Sequence, residues 1–303
     1  MNFTNEEENS NNIQKKSFIH NLLKLMRPKQ WVKNLFVVGP LIFSVSFLEP
    51  KKIGYSLLAF VLFCLISSTV YIMNDIVDVD KDRIHPKKRL RPIASGAIKV
   101  PAAIVSFLVL LTISLVGSYL INFELFIVII LYFINNVLYS FKIKHIVIVD
   151  VISIAIGFIL RVVAGGIAID VKLSGWILLC TFFISLFLGF EKRKNEIIKL
   201  QGNANEHRKI LDDYSEDLLN EISNISIPCT LVSYAMYTFI GHPNPYMMIT
   251  NLFVVYGLFR YKYLVIKKGE GGSPTEALIT DKPLIANIIL WAITSMIILL
   301  WFS

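Results

Sequence analysis

The chain has 303 residues, 55% of them hydrophobic and only 17% charged, with a mean hydropathy of +0.62 and a net charge of +8. A water-soluble domain carries about one quarter charged residues, so the composition excludes an ordinary soluble globule and calls for lipid-facing surface. The positive balance fits nucleic acid or anionic lipid and phosphate. Its confinement to short segments between apolar runs favours the membrane and sets nucleic acid aside as a partner.

Residues 1–18 open with MNFTNEEENSNN, acidic and polar, without the basic and early apolar regions of a signal peptide. They read as a loosely attached cytoplasmic tail, ahead of one membrane domain over 19–303. A spanning helix needs about 20 mainly apolar residues. Nine segments meet that requirement, some narrowly: Trp31–Leu48, Ile53–Ile76, Ala102–Ile121, Phe123–Phe141, Ile146–Ile169, Gly175–Phe190, Ile225–Ile240, Tyr246–Ile266 and Leu284–Phe302. The expected fold is therefore all-α, a polytopic bundle of nine transmembrane helices. With the N-terminus cytoplasmic, the inner segments hold 26 of the 30 Lys and Arg residues. A miscounted helix would destroy that asymmetry, so the positive-inside rule supports both count and orientation. The C-terminus then faces outward, and residues 78–100 and 191–224 form the long inner segments where a soluble substrate is handled. Cys64, Cys180 and Cys229 each lie alone in an apolar run, which points to packing.

The strongest chemical signal closes the second apolar run: NDIVDVDKDRIHPKKRLRPIASG, residues 74–96. At about 100° per residue, Asp75, Asp78 and Asp82 share one narrow helical arc with Asn74 at its margin, while Asp80 points elsewhere. Three stacked carboxylates at a membrane interface repel one another, and such acids are usually functional. A divalent cation relieves the repulsion, and oxygen-only ligands suit Mg²⁺ shared with substrate phosphates. The plainer reading is a solvated acidic helix end. Arg83, His85, Lys87, Lys88, Arg89 and Arg91 follow directly. A topological basic loop accounts for their charge in general. Their interleaving with Pro86 and Pro92 beside the acidic face fits a two-part anion site better, metal for a diphosphate and cations for further phosphate.

The pattern NDxxDxxxD followed by RP and a Gly resembles the UbiA-type polyprenyl transferase superfamily of intramembrane enzymes. The segments RPKQWVKNLFVVGPLIF, DRIHPKKRLRPIASG, YSFKIKHIVIVD, GFILRVVAGG and FLGFEKRKNE are similar to its phosphoribosyltransferase branch, over nearly all of residues 25–300. The resemblance implies transfer of phosphoribose from phosphoribosyl pyrophosphate to a polyprenyl phosphate, releasing diphosphate, for cell-envelope glycan precursors. It implies a catalytic set of Asn74, Asp75, Asp78 and Asp82, with Mg²⁺ on the three aspartates. Arg83, Lys88, Arg89 and Arg91 are the expected donor contacts. Tyr139, Lys144 and Asp150, with Lys192 and Arg193, are further substrate contacts; as an interfacial anchor and an inner charge cluster they would be merely topological.

Many aromatic prenyltransferases of the superfamily carry a second DxxxD. Here Asp150 is present but the position four later is Ile154. Trp31 suits an interface belt, whereas Lys33 and Asn34 are expected to face the cavity. Arg161 lies inside a helix and should face the bundle interior, either satisfying backbone carbonyls or helping to set the lipid channel. It is eleven residues from Asp150, about 16 Å along a helix, too far for a direct pair. Gly157, Gly165 and Gly166 point to close helix packing. His20, His145, His207 and His242 show no metal-ligand spacing. Two other functions compete: transfer of a polyprenyl chain from its diphosphate to an aromatic acceptor, and membrane transport through an acidic site.

Overall fold

The computed structural model describes residues 18–200, 209–241, 244–268 and 274–301. The expected tail, except Phe18, lies outside the described residues, as do His207 and His242. Every regular element among the described residues is helical. A helix over 18–26 (α1) is followed by α2 (Gly39–Phe43), α3 (Pro50–Val77), α4 (Val79–Ile84), α5 (Val100–Ile121), α6 (Phe123–Phe141), α7 (Val149–Ala168), α8 (Gly175–Leu200), α9 (Glu216–Phe239), α10 (Asn251–Lys268), α11 (Pro274–Thr280) and α12 (Lys282–Trp301). Among the described residues, seven stretches are long and apolar enough to cross a membrane, those of α3, α5, α6, α7, α8, α10 and α12. The chain is a multi-pass membrane protein.

The other two expected spans differ in kind. Trp31–Leu48 is not one helix. It is a 3₁₀ stretch over Pro28–Val37, then α2, then a 3₁₀ turn over Ser46–Leu48. Pro40 has no N–H and its ring collides with the carbonyl four residues back, and Val45 turns left-handed at φ 59°. A Cβ on Gly165 of α7 would lie 1.9 Å from the Val37 carbonyl oxygen, so the two backbones touch. The close packing expected at Gly165 is thus present. α9 is the seventh expected span, Ile225–Ile240, but it begins at Glu216 and buries Ser223, Ser226, Thr230, Ser233 and Thr238. Its hydroxyls return bonds to the helix around Pro228: Ser226 donates to the Ile222 carbonyl and Thr230 to that of Ser226, both at 2.8 Å.

The chain forms two compact units, with boundaries inside α3 and α6. The first comprises Met1–Val32 and Val61–Phe133. Its core joins Leu25 of α1, Ile72 of α3, Ile93 and Ile98 of the following loop, and Ala103 of α5. Polar contacts fix α1 in place: Ser68 donates to the Met26 carbonyl and accepts from the Trp31 indole, both at 3.1 Å. The second comprises Lys33–Phe60 and Ile134–Ser303. One of its clusters gathers Val151, Phe190, Tyr214 and Leu219 from α7, α8, the segment just after the 3₁₀ turn Lys209–Asp213, and α9. Another gathers Phe187, Tyr261, Leu264 and Leu284 from α8, α10 and α12.

Candidate active site

The acidic run sits where α3 gives way to α4. Helical bonding continues through the junction, with the Asp78 amide on the Asn74 carbonyl at 2.9 Å and the Asp82 amide on that of Asp78 at 2.8 Å. Asp75 and Asp82 are brought together in this way, and they are 2% and 3% exposed. A buried carboxylate needs a partner, and the basic loop supplies it. Arg91 donates through one nitrogen to both, at 3.1 Å to Asp75 Oδ1 and 2.6 Å to Asp82 Oδ2. The loop is stiffened to hold this position. His85 Nδ1 accepts from the amides of Lys87 and Lys88, and Pro92 and Ile93 are buried.

A second cation reaches Asp75 from far earlier in the chain. Arg27 Nη2 lies 2.5 Å from Asp75 Oδ1, and its guanidinium stacks 4.9 Å from the Tyr71 ring centroid. Tyr71 and Asp75 are four apart on α3 and so share a face. Arg27 ends α1 with a left-handed backbone, φ 55°, directly before Pro28. That conformation costs a non-glycine residue roughly 1–2 kcal/mol, which the side-chain contacts offset. Beside these groups lies a cavity of about 350 Å³ lined by Lys24, Arg27, Asp75, Lys87, Leu90, Arg91 and Pro92.

The remaining residues of the expected set stand apart from this pair. Asn74 and Asp78 are half-buried, and Asp78 makes no side-chain bond to a described residue. Arg83 pairs with Asp80 at 3.0 Å on the surface, a contact of little energetic weight. Lys88 and Arg89 are exposed. Among the described residues no three His, Cys, Asp or Glu side chains form a ready metal cage. Mg²⁺ does not require one, since one or two carboxylates and substrate phosphates usually hold it. The all-oxygen donor set of Asp75 and Asp82, with Asp78 between them in sequence, fits that ion.

A separate buried cluster in the second unit centres on Asp150, fully buried at the start of α7. Arg193, 1% exposed, donates from Nε to Asp150 at 2.8 Å, from Nη1 to Glu196 at 2.8 Å and from Nη2 to the Tyr139 hydroxyl at 3.0 Å. Tyr214 donates to the other Asp150 oxygen at 2.8 Å and accepts the Ile148 amide at 2.6 Å. That bond anchors Ile148 at φ 68°. Burial, and the Asp150 carboxylate beside it, push the Tyr214 phenol above its ordinary pKa, so it remains a donor. Lys144 is half-buried in the turn Ile143–His145, and Lys192 is also half-buried, 3.9 Å from Glu196. Arg161 donates from Nε to Asn34 Oδ1 at 2.8 Å and from Nη1 to the Gly157 carbonyl at 2.9 Å. The bond to a backbone carbonyl is one of the contacts expected of it. Asn34 is completely buried in that contact and Lys33 half-buried beside it.

Residues 37–280 match the UbiA prenyltransferase family. The chain belongs to this family. A decaprenyl-phosphate phosphoribosyltransferase of Corynebacterium glutamicum is 33% identical, over 94% of this chain and 88% of its own. Another, of Mycolicibacterium smegmatis, is 32% identical over 91% of each chain. Among solved structures, a UbiA homolog from Archaeoglobus fulgidus bound to DMAPP and Mg²⁺ superposes with a TM-score of 0.72 at 17% identity, covering 92% of this chain and 98% of that one. That likeness is one of fold.

Several residues of this UbiA chain escape sequence reasoning. Lys24 and Arg27 carry charge but no spacing that ties them to Asp75, whereas Lys87 belongs to the basic run already singled out. Tyr214 lies 64 residues from Asp150. Glu191, fully buried on α8, is paired with Lys262 of α10. An acid at the head of EKRKNE was the available signal for that pair, since a carboxylate buried in a membrane bundle demands a cation.

Proposed function

We propose that this protein transfers phosphoribose from phosphoribosyl pyrophosphate to a polyprenyl phosphate, releasing diphosphate. The observation that carries the reading is the likeness to decaprenyl-phosphate phosphoribosyltransferases across nearly the whole length of both chains. The chemistry of the residues supports it. In the reaction the bond between ribose C1 and the diphosphate oxygen breaks, and an oxygen of the acceptor phosphate bonds to C1. The acceptor is already an anion at neutral pH, so no protein base is required. The chain's work is orientation and charge stabilisation.

Asp75 and Asp82, with Asp78 between them, would hold Mg²⁺. That ion supplies charge neutralisation at the departing diphosphate. UbiA homologs from Archaeoglobus fulgidus solved with Mg²⁺ support this use of a divalent cation. Arg91 keeps the two carboxylates side by side and offers further donors to the leaving group. The Lys and Arg asymmetry supports a cytoplasmic N-terminus and active site and an outward C-terminus in the cell membrane. The product is a lipid-linked pentose precursor for envelope glycans.

Membranes containing the protein, given labelled phosphoribosyl pyrophosphate and polyprenyl phosphate, should place label in the lipid extract. No incorporation, together with prenylation of a hydroxybenzoate, would replace this function with prenyl transfer.

A further inference from the structure

The cavity beside Asp75 holds more positive charge than its acids account for. Arg27 and Arg91 spend theirs on Asp75 and Asp82. Lys24 and Lys87 line the same cavity, and neither pairs with a described carboxylate. Two unspent ammonium groups match the charge of about −1.5 to −2 on a phosphate monoester at neutral pH. Lys24 of α1 and Arg27 just after it both line the cavity. Lys87 and Arg91 line it from the loop after α4. Arg27 is fixed over Tyr71, and its strained backbone persists at a position where glycine would relieve it. A side chain is needed there. Arg27 lines the cavity, and its N–H groups not bonded to Asp75 have no hydrogen-bond partner among the described residues.

We infer that Lys24, Arg27 and Lys87 form a subsite for a terminal phosphate monoester, held apart from the diphosphate group that the aspartates address. This rests on the transfer reaction above, and it assigns the subsite to the 5-phosphate at the far end of the donor's ribose. A volume of about 350 Å³ accommodates a sugar phosphate. Lys24 and Arg27 also precede residue 37, where the match to the family as a whole begins. A prenyl diphosphate has only hydrocarbon where this phosphate lies, so a UbiA enzyme that uses one needs no cations at these positions. The subsite would thus act as a specificity device, with two of its three cations ahead of the family match.

A phosphate monoester has two possible sources, the sugar donor and the lipid acceptor, and equilibrium binding separates them. Purified protein in detergent micelles with Mg²⁺ is titrated with ribose 5-phosphate, inorganic diphosphate and a short-chain prenyl phosphate. Wild type is expected to bind ribose 5-phosphate, and Lys24→Gln with Lys87→Gln to weaken it at least tenfold. Diphosphate and prenyl phosphate should stay within about twofold. The variant Lys24→Arg with Lys87→Arg should restore most of the loss. Both lysines are exposed, so folding is spared. Equal weakening of ribose 5-phosphate and diphosphate would mean a diffuse field and overturn the subsite. Selective loss of prenyl phosphate would assign the cavity to the acceptor and also overturn it, as would failure of wild type to bind ribose 5-phosphate. If lipid extracts show no phosphoribose transfer by wild type while the binding results hold, the reaction is at fault and the phosphate subsite stands.

Discussion

Replacing Arg193 with alanine separates a phosphate ligand from an internal strut. Each side of the Arg193 guanidinium is engaged, by Asp150, Glu196 and Tyr139, and Asp150 has no exposure at all. Removing the cation leaves Asp150 with only the Tyr214 hydroxyl. Breaking a buried pair by deleting one partner costs about 3–5 kcal/mol. Glu196 is partly exposed and recovers water, so the loss comes mainly from Asp150. A double change, Asp150→Leu with Arg193→Met, removes both charges at similar volume and should return most of that stability. Unfolding in mixed detergent micelles can be followed by a thiol-reactive dye, because Cys64 and Cys180 are buried and label only on opening. Arg193→Ala should label at much lower denaturing detergent than wild type, and the double variant close to it. If Arg193→Ala is as stable as wild type and instead loses donor affinity, the strut assignment is wrong and Arg193 binds phosphate.

Asp75→Asn should lower phosphoribose transfer at least about a hundredfold while the protein stays folded, and chelation of wild type should do the same, reversed by Mg²⁺; full turnover in chelator would contradict the metal assignment. Gly165→Ala should prevent stable folding, because its methyl group would collide with the Val37 carbonyl oxygen; a well-folded variant in the thiol assay would disprove that backbone contact. In a background with Cys64, Cys180 and Cys229 replaced, Lys52→Cys should react with an impermeant reagent added outside sealed cells and Lys88→Cys should not. The opposite pattern would reverse the proposed orientation. Arg91→Ala, normalised for inserted protein, should raise the apparent KM for phosphoribosyl pyrophosphate at least about tenfold with a smaller effect on the polyprenyl phosphate.

Much of the fold is legible because lipid imposes a simple rule: a continuous apolar run of sufficient length becomes a helix. The rule fails at Trp31–Leu48, where apolar length is present but Gly39 and Pro40 stop one regular helix from forming. It weakens at α9, whose serines and threonines lower its apolarity while they bond within the bundle. The acidic face was readable because Asp75, Asp78 and Asp82 are related by local helical geometry. One partner, Arg91, follows in the adjacent basic loop, but others are distant: Arg27 is 48 residues from Asp75, and in the second cluster Tyr214 is 64 from Asp150. Nothing in periodicity encodes a contact at that separation. Arg193 and Arg161 could be located as cations in apolar surroundings. Which acceptors they meet depends on which helix faces neighbour one another.

The anchoring of α1 sets a limit for anyone trimming this chain. A shortened version beginning at residue 37, where the family match starts, would retain all seven long apolar helices. It would also discard Leu25 from the core beneath the acidic face, the Trp31 contact to Ser68, and the guanidinium on Asp75. Such a protein would insert yet carry a half-neutralised acid at its most reactive end. Deletions or fusions should stop short of residue 18.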